Sequence, residues 1–172
     1  MTQEEIVNKV AKSGLVTIDM QDWLPTANQI EIIDLKDYLF QGIVLKEKDF
    51  RDTLKETDWS AYKDKYVAIH CSTDAIIPTW AYMLLVTKLM EVTPHVFYVD
   101  AKTIYAEIVN QEISVLDEEE YREAKVVIKG CSKVELSPKA YILLTQKLQA
   151  VAKAIMFGEP CSTVPVFKAK KK

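Results

Sequence analysis

The residues in this chain with the most distinctive chemistry are three cysteines, Cys71, Cys131 and Cys161, and a serine follows each of them. Thiolates are soft ligands that suit zinc, or an iron–sulfur cluster when enough of them converge. An odd number of cysteines argues against a framework of disulfides. The leading hypothesis is a metal or small-ligand site on Cys71 and Cys131, with Cys161 as a third ligand.

Polar residues surround the first two cysteines at points where short apolar runs end. The runs "YVAIHC", "HVFYVD" and "AKVVIKGC" have the pattern of strands that are buried on both faces. Ligands bind outside the carboxyl ends of the strands in open parallel sheets. The candidate ligand-binding residues are therefore the polar ones at those ends: His70, Ser72, Asp74, Asp100, Lys129 and Ser132.

Alternating strands and helices must position these residues. Predicted strands begin near Tyr66, Val96 and Val126, and an amphipathic helix follows each one, so the order from about residue 65 is β-α-β-α-β-α. The fold class predicted is α/β, a small three-layer, doubly wound and mainly parallel sheet. With strand order 2-1-3, Cys71 and Cys131 would face each other across the crevice.

The first 64 residues are predicted to form an α+β extension of this core. "LVTIDM" and "NQIEIIDL" have the pattern of strands, and "LKEKDFRDTLKETDWSAYKDK" that of a charged surface helix or helix pair. The extension is expected to pad the sheet or to add antiparallel strands. No glycine- or serine-rich linker is present, so residues 1–172 are expected to form one compact domain, with 1–64 as the extension and 65–172 as the core.

Geometry limits the metal hypothesis. A helix from Pro138 to Phe157 would be about 30 Å long and would carry Cys161 towards the opposite end of the sheet. His70 and Cys71 are adjacent, so in a strand they point to opposite faces. The cysteines also lack CxxC spacing, and free cysteine often packs in cores as a small hydrophobe. A non-catalytic interaction or scaffold protein with core cysteines is the first alternative.

An enzyme that acts on a small anionic substrate is the second alternative. "IHCSTDAII" resembles the start of the cysteine phosphatase loop, but Ile77 stands where the phosphate-binding arginine is needed. No glycine lies between Cys71 and Pro78, and the chain has 4 glycines, which argues against a phosphate-binding loop. Ser72 and Ser132 could instead offer hydroxyls to an anion at helix entrances. No catalytic residue is assigned.

The composition of the chain limits the kinds of partner that can be expected. A net charge of -3 and a pI near 5.5 give no general attraction to nucleic acid. No apolar run approaches the roughly 18 residues that span a bilayer. The opening "MTQEEIVNKVAKSG" has two glutamates near its start and lacks the cationic front and apolar core of a signal peptide, so the expected location is cytoplasmic. The sequence is compatible with a homo-oligomer and does not decide the oligomeric state.

Two segments resemble each other within the chain. "CSTDAIIPTWAYMLLVTKL" and "CSKVELSPKAYILLTQKL" share Cys-Ser, a proline near the helix start, Ala-Tyr, Leu-Leu and Lys-Leu, if one residue is left as a gap. Helical periodicity accounts for the leucines without any common origin. The pattern indicates a weak internal duplication.

Four segments also resemble a known family: "GIVLKEKDFRDTL", "YVAIHCSTDAIIPTWAYMLL", "VVIKGCS" and "IMFGEPCSTVPVFK". Together they are similar to an uncharacterised bacterial family of about this length, classed as a domain of unknown function. The resemblance covers nearly the whole chain and implies a small soluble bacterial protein. It implies no substrate or mechanism.

Overall fold

The computed structural model describes residues 15–130, 134 and 136–170, so Cys131 and Ser132 lie outside the described residues. The described part contains seven strands and four α-helices. The strands are β1 Leu15–Asp19, β2 Ile30–Asp34, β3 Tyr66–His70, β4 Val96–Tyr98, β5 Lys125–Lys129, β6 Ala154–Glu159 and β7 Ser162–Lys168. The helices are α1 Glu47–Glu56, α2 Thr79–Leu89, α3 Ile104–Val115 and α4 Pro138–Gln149.

The chain divides into two compact units. Residues Pro25–Glu107 form one, called here the inserted unit, and Met1–Leu24 with Ile108–Lys172 form the other, called the flanking unit. The boundaries of these two units fall at 24/25 and within α3, and the division at 64/65 into an extension and a core stays a prediction. That the whole chain forms a single domain stays a prediction.

Each unit has its own sheet. The inserted unit has the order β2-β3-β4, all parallel, and the flanking unit has β1-β5-β6-β7, in which only β7 is antiparallel to its neighbour. The predicted α/β class with mainly parallel pairing is confirmed. The order 2-1-3 that was expected for the strands at Tyr66, Val96 and Val126 is wrong. It would make the first and third of these strands, β3 and β5, neighbours, but β3 pairs with β2 and β4, whereas β5 pairs with β1 and β6. The strands that end at His70 and Lys129 therefore belong to different sheets. The N-terminal strands are parallel to their partners, and not antiparallel.

Both helices of a unit pack against one face of its sheet. In the inserted unit, Phe50 of α1 and Leu85 of α2 join the same buried cluster as Val67 and Ile69 of β3. Sequential strand order explains this, since two right-handed crossovers in the same direction place both helices on the same side. The described residues therefore form two sheets with one-sided helices in place of a single doubly wound sheet.

The two units repeat one architecture. Every element from α1 to β4 has a counterpart 59 positions later, between α3 and β6, with no gap. Asp58 and Asp117 each cap a short 3-10 helix. Asp64 and Glu123, which follow, have φ angles of 56° and 57°, in the left-handed region that residues other than glycine rarely adopt. Such an unusual angle at the same position makes the correspondence specific.

The first strands of the two units correspond as well, at a distance of 15 positions. Asp19 ends β1 and Asp34 ends β2, and each carboxylate accepts a hydrogen bond of 3.0 Å from the backbone N–H two residues later. Met20 and Leu35 come next and are both fully buried. The likeness between the two helical segments thus extends to the architecture of both units, and its origin by internal duplication stays a prediction.

The end of the chain differs from the expected helix. Helix α4 ends at Gln149, and Ala154–Glu159 forms β6, so the predicted helix from Pro138 to Phe157 is wrong beyond its first twelve residues. The segment "AVAKAIMFG" is apolar at most positions, a pattern that suits a buried strand as well as a buried helix. Parallel pairing with β5 decides between them. Strand β7 was not predicted.

Candidate functional site

A buried carboxylate organises the carboxyl ends of β2 and β3 in the inserted unit. Oδ1 of Asp34 accepts hydrogen bonds of 3.0 Å from the backbone N–H groups of Lys36 and Ser72. Oδ2 lies 3.1 Å from Nζ of Lys36 and 3.8 Å from Nε2 of His70. The Asp34 side chain is 11% exposed. Two of the predicted ligand-binding residues, His70 and Ser72, are therefore brought together, with Asp34 as their common partner.

The hydrogen bonds keep Asp34 ionised. Burial is the largest single influence and by itself raises the pKa of Asp34. The hydrogen bonds from Ser72 and Lys36 together outweigh burial and hold the pKa of Asp34 well below its usual range. At neutral pH the carboxylate is thus an anion, and it ties the loop after β3 to the end of β2.

The flanking unit has the equivalent arrangement with a different partner. Asp19 is adjacent to Lys129 across the β1–β5 pair, as Asp34 is to His70 across β2–β3. Nζ of Lys129 lies 2.8 Å from Asp19 and 3.4 Å from Glu159. The hydrogen bond from Lys129 lowers the pKa of Asp19, and the same bond raises the pKa of Lys129. Lys129, a predicted ligand-binding residue, is therefore engaged in ion pairs.

The described cysteines have different surroundings. Cys71 is half-buried against the core of the inserted unit, with Sγ 3.4 Å from Oγ1 of Thr73. Cys161 is exposed in the turn between β6 and β7. Because β6 is parallel to β5, this turn follows the carboxyl end of the sheet, and the expectation that Cys161 reaches the opposite end is wrong. Among the described residues, no group of three or more His, Cys, Asp or Glu side chains is placed to hold a metal ion.

Two predicted residues are exposed on loops. Asp74 is exposed in the loop between β3 and α2. Asp100 is exposed in the turn before α3, where Oδ1 accepts hydrogen bonds from the backbone of Lys102 and from both the backbone and the hydroxyl of Thr103. Those bonds, with that of the Thr103 hydroxyl the largest influence, lower the pKa of Asp100. Asp100 therefore stabilises the entry to a helix.

An apolar groove in the inserted unit was not predicted. It lies between α2 and β4, has a volume of about 500 Å³, and is lined by Ile69, Thr79, Tyr82, Val86, Val96, Phe97 and Tyr98. The rings of Tyr82 and Tyr98 meet edge to face, with centroids 5.2 Å apart at 82°. Burial raises the pKa of Tyr82 to about 12, and the neighbouring Tyr98 and Cys71 add to the shift. Cys71 lies just beyond the end of β3, the strand that pairs with β4.

The flanking unit has a matching groove between α4 and β6. Its volume is about 480 Å³, and its lining is Ile128, Tyr141, Ile142, Thr145, Gln146, Ile155, Met156, Phe157 and Val166. Tyr141 and Phe157 meet with centroids 5.6 Å apart, also at 82°. They stand 59 positions after Tyr82 and Tyr98. The groove and its aromatic pair are therefore part of the repeat.

The spacing of 59 positions aligns the residues after β3 and β5 differently from the alignment of the two Cys-Ser segments by sequence. Cys71 corresponds to Gly130, and no gap is needed between strand and helix, so the shared Cys-Ser is out of register by one residue. A Cβ built on Gly130 would lie 3.1 Å from Oη of Tyr141 and 3.8 Å from Phe157. Cys71 and Gly130 thus occupy equivalent positions beside the two aromatic pairs. The sequence signal for the grooves was the Ala-Tyr that α2 and α4 share, which had indicated an internal duplication but not a site.

The fold and these sites define a class: an α/β protein of two repeated units, one inserted into the other, each with a groove beside its third strand. The chain belongs to the family described as "Protein of unknown function (DUF2480)", whose model matches residues 4–169. This confirms the family resemblance. No curated protein and no solved structure matches the chain. No helix in the described part of the chain is long and apolar enough to cross a membrane.

Proposed function

We propose that this protein binds small molecules with an aromatic body, in the grooves beside β4 and β6. The observation that carries the proposal is the repetition of the groove: the helix, the third strand and the edge-to-face aromatic pair recur at the same positions in both units. Core packing alone does not require a groove to stay open at these positions. The recurrence of the groove in both units therefore supports a shared function.

The grooves have the properties of small-molecule sites. Such sites are concave, mainly apolar and roughly 300–1,000 Å³ in volume, a range that includes both grooves. Tyr98 is 76% exposed and Phe157 is 42% exposed, so large aromatic surfaces face solvent where a ligand would cover them. Aromatic rings prefer edge-to-face or offset partners. A ligand ring would therefore gain both burial and favourable ring contacts.

Binding is supported over thiol catalysis by the way the polar groups are used. Asp34 and Asp19 have their hydrogen bonds and ion pairs within the protein. His70 and Lys129 are paired with these carboxylates. The polar residues at the strand ends therefore stabilise the fold of each unit, and the aromatic pairs are the groups that a ligand can reach.

Nuclear magnetic resonance with indole as the probe tests the proposal. Indole should shift the aromatic resonances of Tyr98 and Phe157 in a saturable way. Tyr98→Ser and Phe157→Ser should each weaken binding about 10-fold at their own groove, equivalent to about 1.4 kcal/mol, and leave the other groove unchanged. Met83→Ser is the control, because Met83 is 66% exposed on α2 outside the groove lining. Shifts that are absent, or that both serine variants leave intact, would contradict the proposal.

A metal on the cysteines stays a separate prediction, since Cys131 lies outside the described residues. Zinc or an iron–sulfur cluster on Cys71, Cys131 and Cys161 requires about one equivalent of zinc, or a stoichiometric iron content, in protein purified without a metal-affinity tag. Cys71→Ser should then remove that metal. Metal-free protein that is folded and stable would refute this prediction without affecting the proposal for the grooves.

A further inference from the structure

The two grooves differ at two equivalent positions beside their aromatic pairs. Tyr98 of the inserted unit corresponds to Phe157 of the flanking unit, so one pair has a second hydroxyl that the other lacks. Cys71 corresponds to Gly130, so the inserted unit has a thiol at a position where the flanking unit has no side chain. Both differences add hydrogen-bonding groups to the inserted unit, at the carboxyl ends of the neighbouring strands β3 and β4.

The polar groups of the flanking groove lie elsewhere. Thr145 and Gln146 stand about one helical turn beyond Tyr141 on α4. The position equivalent to Thr145 in the inserted unit is Val86. The aromatic pair itself therefore has two hydroxyls in the inserted groove but one in the flanking groove, where the further polar groups lie a helical turn away.

Glycine at 130 has a steric consequence for the flanking pair. Oη of Tyr141 approaches the site so closely that an added Cβ would lie 3.1 Å away, and Phe157 would be 3.8 Å away. The aromatic pair therefore lies against bare backbone at this point. In the inserted unit Cys71 stands at the equivalent position, so a side chain is present where the flanking unit has none.

We propose that Tyr98 and Cys71 make the inserted groove selective for aromatic ligands that carry a hydroxyl or N–H group, whereas Phe157 and Gly130 make the flanking groove selective for hydrocarbon rings. This inference rests on the proposed function and goes beyond it, because it assigns a different ligand class to each groove. A site with hydrogen-bonding groups discriminates against analogues that leave those groups unpaired.

Phenol and toluene, which have nearly the same shape, are the probes. Each is titrated into the full chain, and affinity is measured separately at each groove from the resonances of Tyr98 and Phe157. The ratio of phenol to toluene affinity should be at least ~5-fold higher in the inserted groove, as one net hydrogen bond of about 1 kcal/mol allows. Equal ratios in the two grooves would overturn the inference.

Single-atom variants assign the selectivity. Tyr98→Phe should lower the ratio in the inserted groove towards that of the flanking groove, and Phe157→Tyr should raise the ratio in the flanking groove. Each variant keeps the ring, so the fold and the other groove serve as internal controls. Cys71→Ala should lower the ratio further in the Tyr98→Phe background.

The outcomes separate the two proposals. If both probes bind but Tyr98→Phe leaves the ratio unchanged, the selectivity is refuted and binding in the grooves stands. If neither probe binds either groove, the proposed function fails, and the selectivity fails with it.

Discussion

The inserted and flanking units both use an aspartate to fix the end of the first strand, but the side chains around that aspartate differ. Each begins with a strand that ends in an aspartate, and that aspartate is fixed by the N–H two residues later. The neighbouring strand then supplies His70 in one unit and Lys129 in the other. The backbone role of the aspartate is constant, while its lysine partner varies: Lys36, two residues along the chain, for Asp34 and Lys129, on the neighbouring strand, for Asp19. The comparison shows that the carboxylates stabilise the fold of both units in the same way, whereas individual side chains in and beside the aromatic pairs differ between the units.

Removing the aspartates should have the largest effect. Asp34→Ala should lower the free energy of unfolding by about 3 kcal/mol, because it removes a helix cap and a charged hydrogen bond to the next loop. Asp19→Ala should cost about 1.5 kcal/mol, since Asp19 lacks the bond to the loop. Urea denaturation measures both values, and Asp74→Ala, on an exposed loop, is the control. Equal losses for the two aspartates would break the comparison.

Acid should reveal the same difference. The pKa of Asp34 is lower in the folded protein than the unfolded value of about 3.9. The unfolded state therefore binds more protons near that pH, and the stability from Asp34 is full above it and is lost as the pH falls. Asp34→Asn should flatten the pH dependence of urea unfolding between about pH 5 and pH 2. Asp19→Asn should do so less, and a variant as steep as the parent would contradict the assignment.

The smallest effects are expected at the position that Cys71 and Gly130 share. Cys71→Ala should cost about 1 kcal/mol, because it removes a half-buried sulfur from the core. Gly130→Ala should cost less than about 1 kcal/mol, since Oη of Tyr141 is the end of a side chain and can move by a few tenths of an ångström. It should nevertheless shift the resonances of Tyr141 and Phe157. Unchanged resonances would mean that the glycine does not set the position of the pair.

Local pattern was enough to predict five of the seven described strands, but not their partners. The apolar runs at Tyr66, Val96 and Val126 are strands, and so are "LVTID" and "IEIID". Which strands pair is decided by contacts remote in sequence, and the three evenly spaced strands suggested one sheet where two exist. The helix at "AVAKAIMFG" was wrong because a continuous apolar run does not distinguish a buried strand from a buried helix.

The candidate sites were only partly predictable for a related reason. His70, Ser72 and Lys129 were placed correctly at the ends of strands, because polar residues after a buried run show where the strand stops. Their partners Asp34 and Asp19 were missed, since they follow strands that were assigned to an extension. The grooves depend on how α2 meets β4 and how α4 meets β6. No single segment encodes that packing.

The insertion has a consequence for synthesis on the ribosome. Leu15 of β1 pairs with Lys125 of β5, so β1 emerges long before the strand it needs. At about 5–20 residues per second, the delay is about 5–20 s. During that interval all of the inserted unit is translated and can close its own sheet. The nascent β1 meanwhile offers an unpaired edge to chaperones, and translation speed through the intervening codons sets how long that exposure lasts.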